Sequence, residues 1–225
     1  MKKTILIITS TLLQAITYGQ TNPSNVNRLA CPSHDFSPYE PKEPSSMNDL
    51  PDTIRTKLES HLIDRLGPAF YSKLVFNKGQ IVDLEELYKI NANAKNYKWT
   101  PYSYYLCFSL PNKEQFFTAH IVLDKYGNVK EEIDLPDIKN NPYKENILTF
   151  ELAKSIAKKN KCYNNKTATS LEYDSTTDLL EWHFYFSNGR YYKDGSHSSI
   201  LFIINAHDGS IISKRKRHHK KKFTE

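Results

Sequence analysis

Apolar positions change their period along this chain, and the same change occurs twice. Ile54, Leu58, Leu62 and Leu66 recur four residues apart, with Ile63 widening the stripe. That is the buried face of an amphipathic helix. Pro51 suits its first turn, where a missing N–H costs nothing, and Gly67-Pro68 ends it. From Tyr102 the period falls to two. Tyr102, Tyr104, Leu106, Phe108 and Leu110 share one face, and Ser103, Tyr105, Cys107 and Ser109 share the other. After a turn at 111–113, Phe117, Ala119, Ile121 and Leu123 alternate with Thr118, His120 and Val122, and residues 129–133 pair back across 124–127. This pattern predicts an antiparallel meander. Residues 69–100 are less regular, with a short strand over 71–76 and a second helix or an insertion over 82–90.

The order then recurs. Past a linker over 136–142, Thr149 is a suitable N-cap for a helix with the stripe Leu152, Ala153, Ile156 and Ala157, ended by Asn164-Asn165. Thr169, Leu171 and Tyr173 alternate with Ser170 and Glu172, and 174–178 turns. Leu180, Trp182, Phe184 and Phe186 then oppose Glu181, His183 and Tyr185. A Gly-containing loop over 188–196 precedes a nearly continuous apolar strand over 200–204. Segments 117–129 and 199–211 match in kind: an apolar β run, a polar turn ending in Gly127 or Gly209, then β-branched Val129 or Ile211. Internal repetition sets architecture before any single residue is interpreted. The reading is α+β, with two tandem helix-plus-antiparallel-sheet units, 51–135 and 143–213, and the helices on one sheet face.

The second unit resembles a PepSY-type domain, of the PepSY-like, β-lactamase-inhibitor-like group of exported bacterial proteins. The resemblance is carried by the helix residues Leu152-Ala153 and Ile156-Ala157, the strand residues Leu180 to Phe186, and the close Ile203-Ile204-Asn205-Ala206-His207-Asp208-Gly209-Ser210-Ile211. Asn205 stands where the family usually has Asp. In the first unit Asp124 and Gly127 fit a turn one residue shorter. The resemblance implies a binding or inhibitory module and supplies no catalytic residues.

The ends of the chain add a compartment. Lys2 and Lys3 precede the apolar run 4–16, with Thr17 and Gly19 as small residues ahead of Gln20. This is the order of a secretory signal peptide over 1–19, too short to span roughly 30 Å of hydrocarbon. The expectation is an exported protein, periplasmic or secreted and soluble after cleavage. Residues 20–50, rich in Pro, Ser and Asn, read as an extended or disordered leader.

Charge changes the picture only at the C-terminus. The chain carries 31 Lys and Arg against 25 acids, a net +6. Residues 214–225 hold seven of those cations and one acid, so the body is mildly acidic and the basicity does not mark a nucleic-acid-binding domain. Uninterrupted like charge repels itself, and 214–225 reads as a disordered tail. Its Lys214, Arg215, Lys216, Arg217, Lys220, Lys221 and Lys222 are candidates for holding a polyanion such as anionic lipid or surface polysaccharide.

Candidate chemistry is sparse. Cys31, Cys107 and Cys162 permit one disulfide in any of three pairings. His120, His183 and His197 are candidate bases, but a solvated sheet face accounts for the first two. His207-Asp208 reads as a local ion pair in a turn. Asp174, Asp178, Asp194 and Glu172 match no calcium loop, and no hydrolase, zinc, P-loop or dinucleotide motif is present. No catalytic residue, metal or cofactor is assigned.

The 15 tyrosines are the more informative class, since tyrosine combines large contact area with few rotors. Tyr105, Tyr185, Tyr191 and Tyr192 are the candidate protein-binding residues. The leading expectation is thus an exported, non-enzymatic module that binds another exported or envelope protein, possible inhibition included. The alternatives are a surface protein retained on polyanions by its tail, and a hydrolase with an unrecognised site.

Overall fold

The stripe Ile54, Leu58, Leu62 and Leu66 is wholly buried, on a helix α1 that runs Asp52–Leu66. Each fully buried leucine contributes about 1.5–3 kcal/mol relative to an exposed one. Gly67 ends α1 at φ 77°, and Pro68 opens the short helix α2, Pro68–Tyr71. In this computed structural model residues 31, 34–97, 101–110, 117–191 and 197–219 are described. The expected signal peptide lies outside them. None of the described helices is long and apolar enough to cross a membrane.

After α2 come strand β1 (Val75–Ile81), helix α3 (Leu84–Ile90), and strands β2 (Tyr104–Ser109), β3 (Thr118–Leu123) and β4 (Val129–Glu131). The strands form an antiparallel meander in the order β1-β2-β3-β4. Helix α4 (Phe150–Lys159) opens the second unit, capped by Thr149. Strands β5 (Ala168–Asp174), β6 (Leu179–Tyr191), β7 (His197–Asn205) and β8 (Ile211–His219) make a second meander in sequence order. The two-unit α+β organisation expected from the repeat is present. One continuous apolar core joins α1, the inner faces of both sheets, and Phe150, Ala153 and Ala157 of α4.

The repeat is also atomic. Gly127 N–H donates to Asp124 C=O and Gly209 N–H to Asn205 C=O, 3.0 and 2.9 Å. The two glycines adopt φ +80° and +79°. Each lies under the isoleucine of its unit's helix, Ile54 or Ile156. Asn205 does the work expected of Asp, its Oδ1 accepting the His207 N–H at 2.8 Å.

Two expectations are corrected here. The leader is ordered from His34 onward. Phe36 and Tyr39 are buried in a second core with Leu87 of α3, Tyr102, Tyr105 and Val122, on the first sheet's other face. A Cys31–Cys107 disulfide anchors the leader, and Lys42 bridges Ile81. Gln80 locks it further: its Oε1 accepts His34 N–H at 2.9 Å, and its Nε2 donates to His34 C=O at 3.2 Å. Two aromatic anchors and a covalent tie order a segment that has no period to detect.

The basic tail is not disordered through its first half. Lys214, Arg215, Lys216 and Arg217 belong to β8, paired with Phe202, Leu201, Ile200 and Ser199 of β7. Backbone pairing to a long, well-anchored neighbour outweighs the repulsion between these cations, since Arg215 alternates to the face opposite Lys214 and Lys216.

Candidate anion-binding face

Strand β8 is an edge strand, and its Lys/Arg content protects an open edge from pairing with other chains. Helix α4 ends with Lys158 and Lys159 in its last turn, where cations complement the helix dipole. These two local reasons explain the lysines separately. Their juxtaposition is a tertiary fact. The Lys214 ammonium donates to the carbonyl of Asn160, the C-cap of α4, at 2.9 Å. The edge strand and the helix end therefore meet at one place.

Lys158, Lys159, Lys161 and Lys166 are exposed on the helix side, and Lys214 and Lys216 on the strand side, while Arg215 alternates onto the outer face of the sheet beside Leu201. Residues 150–166 and 211–219 together hold nine Lys and Arg against a single carboxylate, Glu151. Glu151 is occupied by Lys154 at 3.1 Å. Lys154 and Lys158 both stand over the Tyr163 ring, each 5.7 Å from its centroid, which positions two ammonium groups on an aromatic platform. The result is a surface of one sign, built on a helix end and a hydrogen-bonded strand.

The other sequence candidates fare differently. Tyr105 is 4 % exposed; it stacks on His120 at 5.1 Å and 23° beneath the leader, and burial pushes its phenol well up. It is not a surface residue, because the first sheet is covered on both faces. Tyr185 is half-buried beside His183 on the second sheet's outer face, ring centroids 6.3 Å apart. Tyr191 is the last residue of β6, and Tyr192 lies outside the described residues, as do Lys220, Lys221 and Lys222. The structure does not bring Tyr105 and Tyr185 onto one surface.

His120, His183 and His207 are committed to local partners. His120 pairs through Nδ1 with Asp134, and that hydrogen bond holds its imidazole above the ordinary value. His183 sits between Glu181 at 2.9 Å and Glu172 at 3.4 Å. His207 makes no ion pair in its turn, contrary to expectation. Its Nδ1 donates to Asn146 C=O at 3.0 Å and its Nε2 accepts the Leu180 N–H at 3.1 Å. Burial holds it below the usual imidazole range, and it pins the linker to the second sheet as a neutral ring. Cys162 is a buried free thiol. Among the described residues no group of His, Cys, Asp or Glu is placed to hold a metal ion.

Sequence reasoning missed Lys158, Lys159, Lys161 and Lys166. The signal is present in Lys-Lys-Asn-Lys after the helical stripe, but cations at a helix C-terminus are common for local reasons, and nothing in the sequence links them to residues more than 50 positions on. Compared with known proteins, no family model, no curated protein and no solved structure matches the chain.

Proposed function

We propose that the protein is an exported, non-enzymatic binding module that attaches to an anionic surface polymer through the joint basic face of α4 and β8. The observation that carries this reading is the Lys214–Asn160 contact, which merges two cation-rich elements into one preorganised surface. A rigid array of ammonium groups recruits a polyanion without the ordering cost that a disordered tail would incur. The PepSY-like reading of the second unit accords with a binding role, and its helix-first, four-strand meander is the scaffold that presents the face.

The test is retention of the full mature chain on immobilised heparin, a sulfated polysaccharide, with a salt gradient. Binding is expected to weaken steeply between ~10 mM and ~150 mM salt, as the screening length shrinks from roughly 30 Å to roughly 8 Å. Lys158→Gln/Lys159→Gln/Lys161→Gln should elute well before the wild type, even with residues 220–225 intact. If truncation after His219 abolishes retention while the triple variant elutes normally, the function belongs to the last residues and the built face is discarded. Vesicles of phosphatidylglycerol, run in parallel, separate a lipid headgroup from a polysaccharide.

Recognition of a partner protein is the second reading, favoured by Tyr185 and His183 lying side by side on the outer face of the second sheet. Tyr185→Ala should then weaken capture of that partner and leave heparin retention unchanged.

A further inference from the structure

A cleft of about 710 Å³ opens in the first unit, where the leader, the start of α1, α3 and the edge of β2 meet. It is far from the basic face in sequence and opposite in charge. Ligand pockets for small molecules span roughly 300–1,000 Å³. Its walls are apolar and aromatic: Pro51, Ile81, Val82 and Leu84, with Tyr39 and Tyr88. Two hydroxyl residues line it from below. Ser103 is 5 % exposed and Tyr104 8 %, and neither oxygen is among the fully buried, unpartnered atoms of the described residues, so both reach the water of the cleft. A ligand's polar group that takes the place of that water can bond the same two hydroxyls.

The rim is acidic. Asp49, Asp83, Glu85 and Glu86 line the cleft against Lys42 and Lys125. Most of these charges have structural work to do. Asp49 Oδ2 accepts the N–H groups of Ser45 and Ser46, both at 2.9 Å. Asp83 caps α3 through the N–H groups of Glu85 and Glu86, at 2.9 and 3.1 Å. Lys125 reaches Glu85 at 3.4 Å. Glu86 is exposed, and its carboxylate pairs with no cation among the described residues. The cap of α3 does not need it, because Asp83 already serves.

We propose that this cleft binds a small organic amine. The protonated nitrogen pairs with Glu86 at the rim, an apolar body lies against Leu84 and Tyr88, and a polar group of the ligand meets the Ser103 and Tyr104 hydroxyls. A carboxylate at the mouth of an apolar, aromatic-walled cleft favours a cation by charge and by ring quadrupole together. An anion of the same shape meets uncompensated carboxylates.

The experiment is a ¹H–¹⁵N NMR titration of the oxidised full mature chain with three probes of similar body: 2-phenylethylamine, 2-phenylethanol and 3-phenylpropionate. The amine is expected to shift the amides of Ser103, Tyr104 and residues 83–88, and the propionate to leave them unmoved. Glu86→Gln, at an exposed site with no partner to lose, should weaken the amine about tenfold and leave the alcohol unaffected. Equal binding of all three probes, no shift with the amine, shifts confined to other residues, or an unchanged affinity in Glu86→Gln would each overturn the proposal. None of these outcomes bears on heparin retention, so the cleft and the basic face stand or fall separately.

Discussion

Lys144 and Asp178 form an ion pair where the second unit meets α1 of the first: the Lys144 ammonium donates to the Asp178 carboxylate at 2.6 Å and to the Asp178 carbonyl at 2.8 Å. Lys144 lies just past the inter-unit linker, ahead of α4, and is 5 % exposed. Asp178 closes the β5–β6 turn at φ 54°, a conformation that Asp and Asn tolerate. The same carboxylate accepts the Tyr173 hydroxyl at 2.7 Å and the Asp137 N–H at 3.1 Å, and Arg65 of α1 stands 3.4 Å away. Burial pushes the Asp178 carboxyl up, but Lys144, Tyr173 and Asp137 together outweigh it and hold the group below its usual range. Burial and the bond to Asp178 push the Tyr173 phenol up to about 12.

Removing only the charge at Asp178 isolates the ion pair. Asp178→Asn keeps the turn conformation but strands a nearly buried ammonium, which should cost about 3 kcal/mol or more. Lys144→Met should cost less, because Asp178 retains Arg65, Tyr173 and the Asp137 N–H. Urea denaturation of both variants checks the order; a loss below about 1 kcal/mol for Asp178→Asn would refute the structural role.

The turn glycines make a paired prediction. A Cβ on Gly209 would lie 2.9 Å from Ile156 Cδ1, and one on Gly127 3.1 Å from Ile54 Cδ1, both at positive φ. Gly209→Ala should lose about 1–3 kcal/mol and Gly127→Ala somewhat less, the backbone alone accounting for roughly 1–2 kcal/mol. Adding Ile156→Val to Gly209→Ala relieves only the steric part. Complete recovery of the melting temperature would place the whole cost in the contact and none in the backbone.

Two histidines bias stability against pH in opposite senses. His120 is raised by its bond to Asp134. Its contribution is complete below the ordinary imidazole value of about 6.5 and is lost as pH rises through the raised folded value. His207 is depressed by burial. Above about 6.5 it costs nothing; as pH falls below that, the unfolded chain takes the proton first and stability declines until the depressed folded value is passed. Melting temperature against pH should therefore fall on both sides of a maximum. His120→Gln should flatten the alkaline limb and His207→Gln the acid limb, at lower overall stability. An unchanged profile in either variant contradicts the assignment.

Cysteine chemistry separates the strap from the core. Cys31 and Cys107 are bonded across 76 residues, while Cys162 is 0 % exposed and its thiol donates to Asn160 C=O at 3.3 Å. A colorimetric thiol assay should find no reactive group in the native oxidised protein and one after denaturation without reductant. Cys31→Ser/Cys107→Ser should lower stability by about 2–4 kcal/mol; a loss under about 0.5 kcal/mol would mean that Phe36 and Tyr39 hold the leader unaided.

Periodicity in the sequence was sufficient for the helix face of α1, for both meanders, and for the recurrence of a glycine turn, because these depend on residues a few positions apart and on burial of one face. It was insufficient wherever two distant segments had to meet. The alternation in β2 assigned Tyr105 to solvent because a strand pattern reports a difference between its faces, and here both faces are covered, the second by a leader with no period of its own. The basic run was read as a self-repelling tail because nothing local announces that β7 is long enough to pair with it. Only the tertiary structure put Lys214 on the end of α4, turned two separately explained lysine clusters into one surface, and closed an acidic cleft lined by Ser103 and Tyr104. Local patterning determines which face of an element is buried; which element buries it depends on contacts across the whole chain.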